Sequence, residues 1–247
     1  PDTGQRIPAG AFVRGRETLT HGPGGEPFDR PSPSRRFAIA LHRFGWVKDL
    51  MVLGDPGGVE ALRLILEWRR AFGTWNAFAW APDVLERRVF NLACAARAIR
   101  AHASEAEAAI LARDLYRQAD RLLIIKLGPE RAAERAVVAA IAGATLAGRP
   151  GERLLRRAMA GLVRALDAAL TRDGGHASRS PQAALELLFD LSTLDDVLVQ
   201  RGLPAPDIVL RAMDRMAATV RFFTLADGRL AAFQGGETTD SRGAIAR

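Results

Sequence analysis

The sequence predicts an all-α fold: an incomplete α/α toroid of antiparallel helical hairpins behind an irregular N-terminal arm. Three observations predict it. From Arg35 onward apolar residues recur at spacings of three and four, the period of a helix with one buried face. Start and stop signals then alternate along the chain: Pro82, Pro129, Pro181 and Pro206 stand where first helical turns begin, and Gly73, Gly128, Gly148 and Gly202 where helices end. The stretches between them are short, and short connections force neighbouring helices to run antiparallel. An open solenoid satisfies the same signals but requires a fixed repeat. The tryptophans fall at 46, 68, 75 and 80 and no motif recurs, so the toroid is favoured.

Residues 1–34 are rich in Gly and Pro and read as the irregular arm, with Ala11, Phe12, Val13 and Phe28 as its apolar anchors. The toroid domain is expected over residues 35–235. Its helices are predicted at Arg35–Val52, Gly58–Phe72, Pro82–His102, Glu105–Leu127, Pro129–Ala147, Gly151–Leu170, Pro181–Arg201 and Pro206–Leu225. Ser104 with Glu107 forms a capping box at the fourth. The Ala- and Gly-rich run AVVAAIAGATLAG in the fifth predicts a helix packed on several sides, as an inner ring requires. Beyond Leu225, Asp227-Gly228 is a two-residue turn signal between short apolar runs. Residues 236–247 read as a tail.

With 247 residues the chain can bury a sizeable core. Its net charge of +7 predicts a surface that prefers acidic partners: nucleic acid, anionic lipid or acidic polysaccharide. The basic clusters are spread over several helices and interleaved with acids, so no nucleic-acid-binding stripe is visible. The longest nearly uncharged run, Ala136–Gly148, is too short for a bilayer helix, so no membrane span is expected. No basic-then-apolar leader opens the sequence. Cys94, the single cysteine, excludes an internal disulfide and is expected to pack as a small hydrophobe. No HExxH motif, EF-hand loop or Walker-type phosphate loop occurs, so no metal or cofactor is expected.

Two loops carry residues with binding chemistry. In GTWNAFAWAP, Trp75 and Trp80 offer flat faces on which sugar rings stack, and Asn76 can hydrogen-bond hydroxyls. The competing reading is that they plug the end of the helix array. Trp46 and Trp68 lie at helical spacing among Leu and Phe and are assigned to the core. In DGGHASRSP, Gly174 and Gly175 permit a tight turn and Pro181 opens the next helix, which leaves His176 and Arg179 to account for. A histidine there suits proton transfer or anion contact, and Arg179 can fork onto a carboxylate. Alternatively His176 is a structural hydrogen bonder, with Asp173 bracing the turn and Ser180 capping the helix.

Several of these stretches, in this order, resemble the helical N-terminal part of the heparinase II/III-like polysaccharide lyases: RFGWVKDL (Arg43–Leu50), WNAFAWAPDVLERRVFNL (Trp75–Leu92), DGGHASRSP, and DRMAATVRFFTLADGRLAAFQGG (Asp214–Gly236). The resemblance implies a toroid followed by a β-sandwich domain, to which the tail would link, with acidic, uronate-containing polysaccharide held between them and cut by β-elimination. It also implies a bacterial periplasmic or envelope location. For such an elimination His176 is the candidate base, with Arg179 or Arg131 holding the substrate carboxylate, and Trp75, Asn76 and Trp80 remain the candidate sugar contacts. The sequence departs from the pattern where the chemistry is densest. Ala183 and Ala184 stand where active lyases carry tyrosine and histidine, Ser178 stands in an acidic position, and Pro129, Glu130 and Arg131 replace an Asn-Asn-His-like element. Tyr116 matches no motif. Two functions remain: a lyase completed by a C-terminal domain, or a non-catalytic helical scaffold that binds anionic partners.

Overall fold

The computed structural model describes residues 2–125 and 131–234. Gly128, Pro129, Glu130 and the tail 236–247 lie outside the described residues. The described chain is helical, as predicted, with one small hairpin, and divides into two compact units, Pro1–Ala119 and Asp120–Arg247.

In the first unit the N-terminal segment is more regular than its composition predicts. A short helix α1 (Asp2–Arg6) leads into an antiparallel hairpin of β1 (Ala11–Arg14) and β2 (Glu17–Thr20). Its alternate residues Phe12 and Leu19 pair across the strands and are both buried. The arm is thus tied to the core through the predicted anchor Phe12, whose ring meets Trp46 edge-on at 5.6 Å.

The single helix expected over Arg35–Val52 is broken into α2 (Arg35–His42) and α3 (Val47–Met51). Ser34 caps α2 by accepting a hydrogen bond from the Phe37 amide. The break falls at Phe44, whose φ of 61° is costly for a bulky residue. That backbone accompanies complete burial of its ring, which packs 5.2 Å from both Trp46 and Trp68. Helical spacing alone gives no sign of this, because Phe44 continues the apolar period.

The helices α4 (Asp55–Phe72), α5 (Pro82–Arg100) and α6 (Glu105–Ile124) follow the predicted spans with ends moved by a few residues. The capping box is formed: the Ser104 amide and hydroxyl both donate to Glu107, and the Glu107 amide donates back to the serine hydroxyl. Cys94 departs from expectation. It lies on the exposed face of α5, because the helix turns its neighbours Ala93 and Ala95 inward instead.

The core of this unit is built around a cation. Arg88 is fully buried, its guanidinium 4.2 Å above the Trp68 ring, and it donates to Gln118 Oε1, to the Ala79 carbonyl and to the His42 carbonyl. Burial brings its pKa down to about 9. His42 is also buried, among Phe28, Phe72, Phe78 and Trp68.

The second unit contains α7 (Ala132–Thr145), α8 (Gly148–Ala169), α9 (Pro181–Gln200) and α10 (Asp207–Phe222). Nearly every residue of α7 is buried, against α8 and α9, as the Ala-rich run predicts. Ala136 lies against Gly161 and Gly143 against Leu155, an order that runs in opposite directions and so makes α7 and α8 an antiparallel hairpin. The approach is close enough that a Cβ on Gly143 would stand 2.5 Å from the Leu155 nitrogen. Gly148, expected as a stop, has φ 71° and opens α8 instead. The turn at Asp227-Gly228 closes as a single bridge between Thr224 and Leu230.

Candidate functional site

The loop from Thr171 to Ser180 leaves α8 and returns into α9 across the C-terminal half of α10. The Asp173 carboxylate accepts from the Thr171 hydroxyl and the Gly175 amide, and so braces the turn. Gly174 has φ 85°, and a side chain there would strike the Arg215 carbonyl of α10 at 2.4 Å. Arg215 and Thr219 hold the loop down by donating to the carbonyls of Thr171 and Asp173 at 2.7 and 2.6 Å. Ser180 caps α9 through the Ala183 amide. The loop therefore has one geometry, and that geometry turns His176 inward.

His176 is 7 % exposed and meets Glu134, on the first turn of α7, with Nε2 3.1 Å from Oε1. Its other nitrogen, Nδ1, accepts from the Ser178 amide at 3.1 Å and lies 2.7 Å from the Ser178 hydroxyl. An amide can only donate, so Nδ1 carries the lone pair and Nε2 carries the proton that faces the carboxylate. Glu134 is itself 1 % exposed. Burial alone would raise its pKa, but the His176 hydrogen bond and the Arg131 guanidinium, 3.7 Å away, outweigh it and hold the carboxyl below its usual range. Glu134 Oε2 has no hydrogen-bond partner among the described residues.

Two of the expected arginines neighbour this pair along the chain. Arg131, just before α7, has φ 58° and a half-exposed side chain; Arg179, whose amide donates to the His176 carbonyl, has the same φ and is exposed. The loop and the start of α7 thus bring His176 and Arg131 of the expected residues to one carboxylate, while Arg179 stands exposed in the same loop. They add Glu134, which was not foreseen. Its signal was a lone acid in an Ala- and Val-rich helix, where an unpaired carboxylate would be too costly to bury. As a chemical arrangement this is a buried imidazole with both nitrogens occupied by protein groups, and the Arg131 cation at the edge of its carboxylate partner.

The other expected residues belong to the first unit. Asn76 spends its side-chain oxygen on its own loop, accepting from the amides of Phe78 and Ala79 at 2.9 Å each. Trp80 is 8 % exposed, with Nε1 donating to the Phe72 carbonyl and the Arg117 guanidinium 5.2 Å from its ring centroid. Trp75 is 69 % exposed. Trp46 and Trp68 are buried, as assigned. No group of three His, Cys, Asp or Glu side chains suited to a metal converges among the described residues. No described helix is long and apolar enough to cross a membrane.

No protein-family model matches the chain. In sequence it is similar to FtsZ-localized protein C of Caulobacter vibrioides, 56 % identical over 238 residues that make up 96 % of this chain and 41 % of that protein. The chain therefore spans about two fifths of that relative's length. Among solved structures, a heparan sulfate lyase of Pedobacter heparinus superimposes with a TM-score of 0.68 at 16 % identity, over 97 % of this chain and 40 % of the lyase. A heparinase III gene product does so with a TM-score of 0.67 at 13 % identity, over 97 % of this chain and 42 % of that one. At such identities the likeness is one of fold, and the helical fold of this chain resembles the matched helical part of these lyases.

Proposed function

We propose that this chain is a non-catalytic helical scaffold on a lyase-type fold, and that the protein containing it works in an assembly associated with FtsZ. The observation that carries the first half is the state of His176. An eliminating base must present a lone pair to the substrate, and the only lone pair of this imidazole is turned onto its own loop at Ser178. Ala183 and Ala184, at the positions where the resemblance expects tyrosine and histidine, supply no replacement base or acid. The second half rests on the relative named for its FtsZ localisation, whose identity to this chain is far above that of the lyases.

The lyase reading keeps one supporting observation besides the fold. Arg131 presents a cation 3.7 Å from Glu134 and Arg179 is exposed in the loop that carries His176, a composition suited to a uronate carboxylate with His176 and a C-terminal β-sandwich completing the chemistry. One experiment separates the two readings. The protein at its natural length is incubated with uronate-containing polysaccharides while ultraviolet absorbance is followed for the unsaturated product, and a fluorescently tagged copy is imaged in cells beside FtsZ. We expect no absorbance rise and coincidence with FtsZ. A rise abolished by His176→Ala would establish the elimination reading, and a tag distributed independently of FtsZ would remove the scaffold one.

A further inference from the structure

We infer that Trp75 is the anchor by which this scaffold docks onto an acidic protein surface; the inference rests on the FtsZ-associated reading above and names the contact. A tryptophan that is 69 % exposed sits in a loop whose every other feature is braced. Asn76 closes the turn beneath it, Trp80 is pinned to the Phe72 carbonyl, and Arg117 of α6 donates to the Gly73 carbonyl. The indole is therefore displayed at a defined place, with little loop entropy left to lose on binding. Tryptophan on a rigid support is the side chain most enriched at the energetic centre of protein interfaces.

The surroundings fit a protein better than a glycan. Around Trp75 in the loop, Thr74 and Ala77 are exposed while Phe72 and Phe78 turn their rings onto the buried His42, so the indole is the projecting apolar knob. The loop's amide side chain already spends its oxygen internally, whereas a sugar needs several free hydrogen-bonding groups around its stacking face. The charge around the knob is positive. Arg69 and Arg117 share one carboxylate, Asp114, and Arg113 lies one turn before Arg117 on the same face of α6, exposed and without an ion pair among the described residues. An acidic surface with an apolar recess is the complement of this patch.

The test uses the protein at its natural length and polymerised FtsZ of the same organism, measured by co-sedimentation. Trp75→Ala is expected to weaken binding at least tenfold, Trp75→Phe to restore most of it, and Arg113→Glu to weaken it several-fold at low salt and much less at high salt. Unchanged far-ultraviolet circular dichroism is expected throughout, because neither side chain is buried. If wild type binds and Trp75→Ala binds equally, the docking inference fails while the scaffold reading stands. If wild type itself does not bind, the scaffold reading fails. If Trp75→Ala loses affinity for heparin or alginate but keeps it for FtsZ, the knob is a glycan platform and the inference is overturned.

Discussion

Acid should unfold the first unit through His42. The Trp68 indole donates to its Nδ1 at 3.0 Å, which requires the neutral ring, and burial together with the nearby Arg88 charge lowers its pKa from 6.5 to about 4. In the unfolded chain the same histidine takes up its proton near pH 6.5, so between pH 6.5 and about 4 the unfolded state binds more protons than the folded one. The sign follows: the contribution is fully present above pH 6.5 and is lost as pH falls through that window. The gap corresponds to roughly 3 kcal/mol at about 1.4 kcal/mol per pH decade, and the side chain is buried enough that solvent screening removes little of it. All four tryptophans lie in the first unit, so urea denaturation followed by tryptophan fluorescence reports that unit. His42→Asn keeps an acceptor near the indole and removes the titration. It should be less stable at pH 7, where it loses the ring's contacts with Phe72 and Phe78, but should lose stability much more slowly down to pH 4.5. Parallel pH profiles for wild type and His42→Asn would refute the reasoning, because His21, also held low by burial, acts equally in both.

Arg88→Ala should cost on the order of 3 kcal/mol in the same fluorescence assay, since it removes the donor to three buried acceptors at about 1 kcal/mol each; an unchanged urea midpoint would contradict this. Gly143→Ala should destabilise the second unit by about 1–3 kcal/mol despite the better helix propensity of alanine, because the new methyl meets the backbone of Leu155 rather than a side chain that can move. Circular dichroism melting checks it, and a raised Tm would show that α7 and α8 can separate without cost.

Much of the scaffold was legible because its signals are local. Pro82 and Pro181 in first turns, the Ser104–Glu107 box and the Ala-rich α7 each act within one or two helical turns, and each appears where the pattern places it. The errors came where distant residues compete with local preference. Phe44 leaves the helix as its ring enters a tryptophan-lined core, and the arm becomes a hairpin because Phe12 and Leu19 find a surface to cover. His176 was legible as a special residue in a special loop, but its orientation was not. Nothing within ten residues of it reveals that Glu134, 42 positions earlier, waits on a helix face.

The sequence by itself determined a predominantly helical chain with net positive charge and most of its helix boundaries. Only the tertiary structure decided which way the chemically capable side chains face: His176 toward Glu134, Asn76 into its own turn, Trp75 into solvent. The physical reason is range. Helix periodicity and capping are set by neighbours along the chain, whereas the protonation, burial and availability of a side chain are set by groups that only folding brings within hydrogen-bonding distance.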